Sequence, residues 1–410
     1  MVERAKTNQL PVRILENGRQ AFDRILEHIN QAKHSIDMQC FVWRDDKTGN
    51  LMARRILDAA DRGVQVTIRK DRVGAVYEHF DPNGYSFFHK RLRPVERFNV
   101  EFLLFAYRRG RTVKKQYPNP LAQRMVDHPN ITLHIDRQLF DHSKFFIFDD
   151  TTMIIGGMGI GDDFRSKWMD LMVELPGAEH IHRFESHRTD PRPPSDHRPI
   201  DFVVNAVLPD GTKRFDVLRR RQEQFARTRK SLVIEMAYLG DPRMTDILVA
   251  LLRRGVQITV LLSTHANILH DQNIWVLDEL YRRSGAPDRL EVYLYPNMVH
   301  TKLLIWDETV AQIGSSNLTR LSHHGYEETD LWITDQATVS RLSALIIEHK
   351  KTCVQVSYPI AYSPFNCLVE RILQFRHSNT PMDHRPSEAP QALDVQAPSE
   401  TNQESQTPTF

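Results

Sequence analysis

Cysteine is scarce in this chain, and long apolar runs are absent. Only three cysteines occur among 410 residues, Cys40, Cys353 and Cys367, and they show no metal-type spacing. Because three cysteines cannot all pair, a reducing compartment is favoured over secretion. No stretch reaches the roughly 18 consecutive apolar residues of a membrane-spanning helix, and the first residues lack the apolar core of a signal peptide. We therefore expect a cytoplasmic protein without a membrane span.

The chain also lacks an excess of charge of either sign. Lys and Arg number 54 and Asp and Glu number 52, which gives a net charge of +2. Such a balance does not itself indicate a nucleic-acid-binding protein. The hydrophobic content of 40% is typical of a soluble globular protein, and the length allows two domains or one large pseudo-symmetric domain.

Two copies of one short motif, H-x-K-x4-D, carry the strongest functional signal. The first copy consists of His142, Lys144 and Asp149, and the second, 158 residues later, consists of His300, Lys302 and Asp307. A glycine-containing turn follows each copy, at residues 156–157 and 314–317. The four apolar residues inside each motif are too few for a helix face and predict a buried strand. Since alternate side chains of a strand share a face, each His and its Lys should point into one site.

These residue types favour covalent phosphoryl-transfer chemistry. A neutral histidine can attack phosphorus, and a lysine ammonium can neutralise a phosphate oxygen. One histidine would form a phosphohistidine while the other protonates the departing alcohol and then activates the incoming one. Ser315 and Asn317 would join the two lysines in stabilising the non-bridging oxygens. The motifs hold no carboxylate or thiolate cluster, so we expect neither a metal nor another cofactor. Asp149 and Asp307 end their strands, where we expect structural hydrogen bonds rather than proton transfer.

A nucleophilic histidine also needs an acceptor that fixes its tautomer. Counting 28 residues from each motif histidine reaches Asp170 and Glu328, and each of them precedes an apolar strand. Glu327 is a close rival to Glu328. The alternative is that both acids are surface residues at strand starts.

Strand and helix patterns recur in the two parts of the chain. The segments Arg62-Gly-Val-Gln-Val-Thr and Arg254-Gly-Val-Gln-Ile-Thr are nearly identical, which indicates an internal duplication. Predicted helices are 18–33, 50–62, 215–230 and 244–254, and predicted strands are 35–43, 64–68, 131–135, 231–238, 256–262 and 290–295. The alternation predicts an α/β fold with a largely parallel or mixed sheet in each half. The predicted organisation is a first half at 1–175, a loop or linker at 176–200, a second half at 201–377 and a disordered tail at 378–410.

Three further features of the sequence lie outside the paired motifs. The basic segment 107–115 is either a solvated loop or an element near the mouth of the site that attracts anionic lipid or nucleic acid. Residues 102–105 are interpreted as a core strand rather than a membrane anchor. Histidines in the region after the first half are interpreted as loop residues; they include His180, His182, His187 and His197.

The paired motifs resemble the phospholipase D superfamily, and most closely bacterial cardiolipin synthases of the shorter type without N-terminal membrane spans. The resemblance covers roughly residues 11–375. Besides the two motifs it includes Ile14-Leu-Glu-Asn-Gly18, the run from Phe41 to Gly49, Gly156-Gly-Met-Gly-Ile-Gly161, Trp168-Met-Asp170 and Gly314-Ser-Ser-Asn-Leu318. It implies two pseudo-twofold-related αβα domains with one shared active site, with His142 as the nucleophile and His300 as the acid and base. The implied reaction joins two phosphatidylglycerols and releases glycerol, without need of an oligomer.

The sequence departs from the family pattern at three positions. Gly159 stands where an Asn is usual, so one polar contact is expected to be missing. Asp141 precedes the first motif where an uncharged residue is common, and Tyr326 stands where an Asn often precedes the second acid.

The expected partner is anionic phospholipid, phosphatidylglycerol above all, at the cytoplasmic face of the inner membrane; nucleic acid is not expected. The alternatives are a phospholipase D-type hydrolase, a metal-independent nuclease of the same superfamily, and a binding protein with a weakened site.

Overall fold

The computed structural model describes residues 12–81, 85–107, 109–110, 112–194, 198–357 and 360–378, with main chain only for 373–378. The first half contains β1 (Arg13–Leu15), α1 (Gly18–Gln31), β2 (Ser35–Cys40), α2 (Lys47–Asp61), β3 (Gln65–Lys70), α3 (Gly74–Phe80), α4 (Pro94–Ala106), α5 (Pro120–Asp127), β4 (Ile131–His134), β5 (Phe145–Phe148), β6 (Thr152–Gly156), α6 (Asp162–Ser166), β7 (Met172–Pro176) and α7 (Ala178–Thr189).

The second half repeats this order with additions. It contains β8 (Ile200–Val207), β9 (Lys213–Phe215), α8 (Asp216–Arg227), β10 (Ser231–Met236), α9 (Pro242–Arg253), β11 (Gln257–Ser263), α10 (His270–Ser284), β12 (Leu290–Tyr295), β13 (Lys302–Trp306), β14 (Val310–Gly314), α11 (Arg320–His324), β15 (Glu328–Ile333), α12 (Gln336–Lys351), β16 (Val354–Gln355) and α13 (Pro364–Ser378).

The repeated helix ends follow directly from local sequence. Helices α2 and α9 begin at Asp46 and Asp241, whose carboxylates accept backbone N–H groups of the first turn. They end before Gly63 and Gly255, which have φ of +95° and +93°, a region that favours glycine. The helix ends predicted at residues 62 and 254 are confirmed to within one residue.

The described strands form two mixed sheets. The first has the order β1-β7-β6-β5-β2-β3-β4, and the second has the order β16-β12-β11-β10-β13-β14-β15-β8-β9. Among the described strands, parallel pairing is confined to β2–β3, β3–β4, β10–β11 and β11–β12, and the other pairs are antiparallel. The mixed character is confirmed, but the expectation of largely parallel sheets is wrong, because each motif strand runs antiparallel to both of its neighbours and the strands beyond β6 and β14 pair antiparallel as well.

The two sheets pack face to face, with helices on their outer sides. Along β5, Phe145 and Ile147 point into a core shared with Leu303 and Ile305 of β13, while Phe146 points towards the helices of the first half. The outer faces are covered by α1 and α2 on one sheet and by α8, α9 and α10 on the other. This arrangement places β5 and β13, the two motif strands, in the middle of the molecule.

Two segment predictions are corrected by the structure. Residues 176–200 were expected to be a loop or linker, but they contain α7, which buries Ile181 and Phe184 in the core between the sheets. His180, His182 and His187 therefore lie on a helix, and His197 lies outside the described residues. Residues 102–105 belong to α4 and not to a core strand.

The domain boundaries themselves stay a prediction, and residues 379–410 of the predicted tail lie outside the described residues. Among the helices of the described part of the chain, none is both long and apolar enough to cross a bilayer.

Candidate active site

The two motif strands have the buried positions that their sequences predict. Strand β5 lies between β2 and β6, and β13 lies between β10 and β14. Every residue of both strands is buried. The motif lysines stand at their beginnings, Lys144 directly before β5 and Lys302 as the first residue of β13. Each His-Lys pair therefore sits where a central strand enters its sheet.

The motif aspartates lie at the opposite ends of these strands. Asp149 accepts the backbone N–H groups of Lys33, His34 and Ser35, at 2.7–3.0 Å for the best oxygen of each. Asp307 accepts those of residues 229, 230 and 231 at 2.7–2.9 Å. A four-residue strand spans about 13 Å, so neither carboxylate reaches the histidine of its motif. These contacts support the structural role expected from their position.

Each histidine is held by a carboxylate of the other half. The Nδ1–H of His142 donates to Oε2 of Glu328 at 3.1 Å, and that of His300 donates to Oδ2 of Asp170 at 2.7 Å. The count of 28 residues found both acids but related each to the histidine preceding it. The structure exchanges them between the halves, so each half supplies the acid that the other half needs.

Short backbone bridges between the halves impose this exchange. His142 N–H donates to the carbonyl of Glu327 at 2.9 Å, and Glu327 N–H donates back to Phe140. In the same way, His300 N–H donates to the carbonyl of Met169 at 2.7 Å. These bonds place each histidine beside the residue that precedes the opposing acid.

Burial keeps both histidines neutral at pH 7. It lowers the pKa of His142 to about 4, with a further contribution from the charge of Lys144. It lowers the pKa of His300 to about 3, assisted by Lys302. Burial raises the pKa of Glu328, but His142, Lys144 and a donated hydroxyl outweigh it and bring the value to about 2. Because Nδ1 of each neutral ring donates to a carboxylate, each ring presents an unprotonated Nε2.

The two motif lysines are buried, and burial brings the pKa of each close to neutral pH. Burial lowers the pKa of Lys144 to about 7, which Glu328 partly opposes, and it lowers that of Lys302 to about 8, which Asp170 partly opposes. Lys302 Nζ lies 2.9 Å from Nδ1 and 3.1 Å from Nε2 of His300. Lys144 Nζ donates to the carbonyl of His142. An anionic ligand would strengthen the charged state of both.

An aromatic ring covers each histidine, and sequence reasoning did not assign this role. Tyr326 stacks on His142 at a centroid distance of 5.4 Å and an angle of 18°, and Trp168 lies 5.3 Å from His300. Both aromatic residues follow a motif histidine by 26 positions, so the count that found the acids could have found them as well. Like the acids, they are exchanged between the halves.

Ser315 and Asn317 have different surroundings. The Ser315 hydroxyl donates to Oε2 of Glu328 at 2.5 Å, so it orients the acid rather than facing a ligand. Asn317 borders the cavity between the halves, and its buried Oδ1 has no hydrogen-bond partner among the residues that the structure describes. Gly159 occupies the equivalent position in the first half, where a Cβ would lie 2.9 Å from the ring of Phe164. The polar contact expected to be missing there is replaced by an aromatic wall.

A cavity of about 100 Å³ lies where the two halves meet. Its lining includes His142, Lys144, His300 and Asn317, together with the aromatic rings described above. Arg109, from the basic segment 107–115, also borders it, which favours the functional interpretation of that segment; Arg108 and Arg111 lie outside the described residues. Within the described ranges, no group of three or more His, Cys, Asp and Glu side chains is arranged to hold a metal ion.

Comparison with known proteins gives one family and several relatives. The family described as "Cardiolipin synthase, PLD-like domain" matches residues 25–188 and 222–350. Cardiolipin synthase A of Pseudomonas putida is 24% identical over 356 residues, which cover 82% of this chain and 67% of the relative. The major cardiolipin synthase of Bacillus subtilis strain 168 is 22% identical over 363 residues, which cover 82% of this chain and 68% of that protein.

A solved structure supports the same fold. The phosphatidylserine synthase of Haemophilus influenzae Rd KW20 superimposes with a TM-score of 0.63, covering 90% of this chain and 95% of that one. At 13% identity, this likeness shows the fold alone. The fold class expected from the duplicated motifs, two phospholipase D-like αβα units, is confirmed.

Proposed function

Because the chain belongs to the cardiolipin synthase family of phospholipase D-like domains and is a phosphatidyltransferase of the phospholipase D superfamily, we propose that it joins two phosphatidylglycerols into cardiolipin and releases glycerol. One geometric observation supports this reaction most directly. Two histidines, each oriented by a carboxylate of the opposite half, face one cavity together with Lys144, and Nζ of Lys302 lies 3.1 Å from Nε2 of His300.

In the first step, Nε2 of His142 attacks the phosphorus of one phosphatidylglycerol. The bond between phosphorus and the head-group glycerol oxygen breaks, and protonated His300 gives its proton to that oxygen. Glycerol leaves, and the phosphatidyl group stays on His142 as a phosphohistidine. Glu328 stabilises the positive charge that develops on the ring of His142.

In the second step, the now neutral His300 takes a proton from the head-group hydroxyl of a second phosphatidylglycerol. The resulting oxygen attacks phosphorus, and the bond between phosphorus and His142 breaks. Cardiolipin is formed, and both histidines return to their starting roles. If water enters in place of the second lipid, the product is phosphatidic acid.

The lysines and the amide stabilise the charge that the phosphorus centre carries. Lys144 and Lys302 balance the non-bridging oxygens, and the NH₂ group of Asn317 can donate to one of them. The charge of a bound phosphodiester also raises the pKa of His300, because it opposes the effect of burial and of Lys302. Binding of the anionic substrate thereby favours uptake from solvent of the proton that His300 needs for the first step.

The test is incubation of the purified protein with phosphatidylglycerol vesicles in the presence of EDTA, with lipid products identified by mass spectrometry. We expect equimolar cardiolipin and glycerol from the wild type. EDTA should not prevent the reaction, because the lysines supply the positive charge at the phosphorus centre. The His142→Ala variant should show no turnover. Formation of phosphatidic acid without cardiolipin would mean that the protein hydrolyses phosphatidylglycerol and does not transfer its phosphatidyl group to a second lipid. Near-normal turnover by His142→Ala would contradict the proposed nucleophile.

A further inference from the structure

Helix α4 carries an exposed apolar stripe. Val95, Phe98, Phe102 and Phe105 follow one another at intervals of three, four and three residues, which places them on one face. Val95 and Phe98 are more than half exposed, and Phe105 is 77% exposed. Phe102 is partly exposed. Three well-exposed large apolar residues along one face of a single helix, with Phe102 between them, exceed the scattered exposed residues of an ordinary surface.

Helix α13 carries a second stripe of the same kind. Phe365, Leu368 and Ile372 lie three and four residues apart, and each is more than half exposed. The opposite face of α13 buries Cys367 and Glu370. The helix is therefore anchored by one face and presents an apolar face outward.

Helices α4 and α13 contact residues that line the cavity. The Tyr107 hydroxyl, at the end of α4, donates to Oε1 of Glu370 on α13 at 2.9 Å and accepts the N–H of Leu269 at 2.9 Å. Leu269 borders the cavity, and so does Phe80, which packs against the buried face of α4. The two helices are thus joined to each other and to the rim of the candidate active site.

A run of basic residues follows α4 in the sequence. Between Tyr107 and Tyr117 the sequence contains five basic residues and no acidic residue. Lys114 and Lys115 are exposed, and their ammonium groups lie 5.8 and 5.7 Å from the ring centres of Tyr85 and Tyr117. Apolar side chains flanked by lysines and tyrosines are typical of a surface that binds an anionic lipid interface.

We propose that α4 and α13, together with the exposed Lys114 and Lys115, form the surface that seats this protein on an anionic phospholipid bilayer, with the cavity mouth facing the lipid. This inference rests on the proposed function, which requires a lipid substrate. Phe98 and Phe105 enter the boundary between head groups and acyl chains, while Lys114 and Lys115 contact lipid phosphates. A substrate lipid then reaches His142 by moving only its head group out of the bilayer plane.

The experiment compares cosedimentation of the full chain with vesicles of phosphatidylcholine alone and with vesicles that also contain phosphatidylglycerol. The test variant is Phe98→Ser/Phe105→Ser, and the matched control is Ile347→Ser/Val354→Ser, which removes two equally exposed apolar residues from elsewhere on the surface. We expect wild type to bind the anionic vesicles more tightly. The test variant should lose about tenfold in partition coefficient for each phenylalanine, and the control should bind as wild type does.

A second measurement separates this surface from the catalytic proposal. Turnover of a short-chain phosphatidylglycerol below its micelle concentration does not require a bilayer, so the test variant should keep wild-type turnover within about twofold. Absence of product from the wild type with this soluble substrate would refute the proposed function, and the vesicle-binding measurement would still test the membrane surface. Undiminished vesicle binding by the test variant would refute the membrane surface. A concentration-dependent dimer that the test variant abolishes would assign the face to a second copy instead and would also overturn it.

Discussion

Replacement of Glu328 by Gln tests the exchange of acids between the halves. Gln keeps the shape of the side chain but removes the negative charge that Nδ1 of His142 and the Ser315 hydroxyl contact. An amide can donate to Nδ1 as well as accept from it, so the variant also permits the tautomer with the proton on Nε2. That tautomer cannot attack phosphorus. The substitution therefore acts on the reactive nitrogen from 186 residues away in sequence.

The size of the effect can be worked from the carboxylate. A pKa lowered from 4.5 to about 2 corresponds to about 3 kcal/mol of net favourable interaction with its neighbours. Loss of all of that amount from a transition state with positive charge on His142 would decrease the rate about 150-fold, which is an upper bound for the charge effect because Lys144 and the Ser315 hydroxyl contribute to the same shift. The unreactive tautomer adds to this loss, so we expect kcat to fall by about 10²- to 10⁴-fold.

The assay is single-turnover transfer from phosphatidylglycerol at pH 7, with thermal unfolding measured on the same samples. Glu327→Gln is the matched control, because Glu327 is the adjacent residue and its carboxyl accepts only a backbone contact from Val207 among those described. Burial, reinforced by the charge of Asp141, raises the pKa of Glu327 to about 8, so it is already neutral at pH 7. We expect this control to keep kcat within about threefold.

Two results would refute the reasoning. A decrease smaller than about fivefold in Glu328→Gln would mean that the carboxylate does not support the reactive histidine. Equal losses in Glu327→Gln and Glu328→Gln, without a change in melting temperature, would mean that the contact with His142 is not what distinguishes the two acids.

Two further predictions concern the lysines and the motif aspartates. Lys144 has a pKa lowered to about 7 and is charged below that value, so kcat/KM should fall as the pH of the assay rises from 6 to 9; a flat profile over that range would contradict its electrostatic role. Asp307→Ala removes the acceptor of three backbone N–H groups and should lower the free energy of unfolding by about 2–3 kcal/mol in urea titrations. Partial burial raises the pKa of Asp307, but the three N–H groups outweigh that effect and lower the pKa overall. The contribution of Asp307 to stability is therefore present above the unfolded pKa of 3.8 and is lost as the pH falls below that value. The difference in stability between variant and wild type should shrink in acid, and an undiminished difference would refute this account.

Much of the site could be predicted because its information is local. The H-x-K spacing puts two side chains on one strand face, and four apolar residues fit a central strand. The count of 28 residues reached Asp170 and Glu328 because both duplicated units keep the same distance from the motif histidine to the acid beside the later strand, β7 or β15. The assignment of each acid to a histidine needed the packing of one half on the other, which no spacing within a half contains.

The errors also have physical reasons. The run 102–105 is too short to show a period, and only together with Val95 and Phe98 does the helical spacing of α4 become visible. Helix α7 was missed because it is mostly polar, with Ile181 and Phe184 as its main apolar contacts, and proline follows it closely. In both cases tertiary contacts select the helix more strongly than the local pattern does.

The reciprocal placement of the acids also has a consequence during protein synthesis. His142 leaves the ribosome long before Glu328 is translated, and until then its ring has neither its acceptor nor the stacked Tyr326. The first half alone therefore carries the proposed nucleophile without the groups that fix its tautomer, and the second half alone lacks Asp170. Under the proposed mechanism, reactivity towards lipid begins only when the whole chain has folded, so a truncated or half-folded product would leave the membrane of the cell that makes it intact.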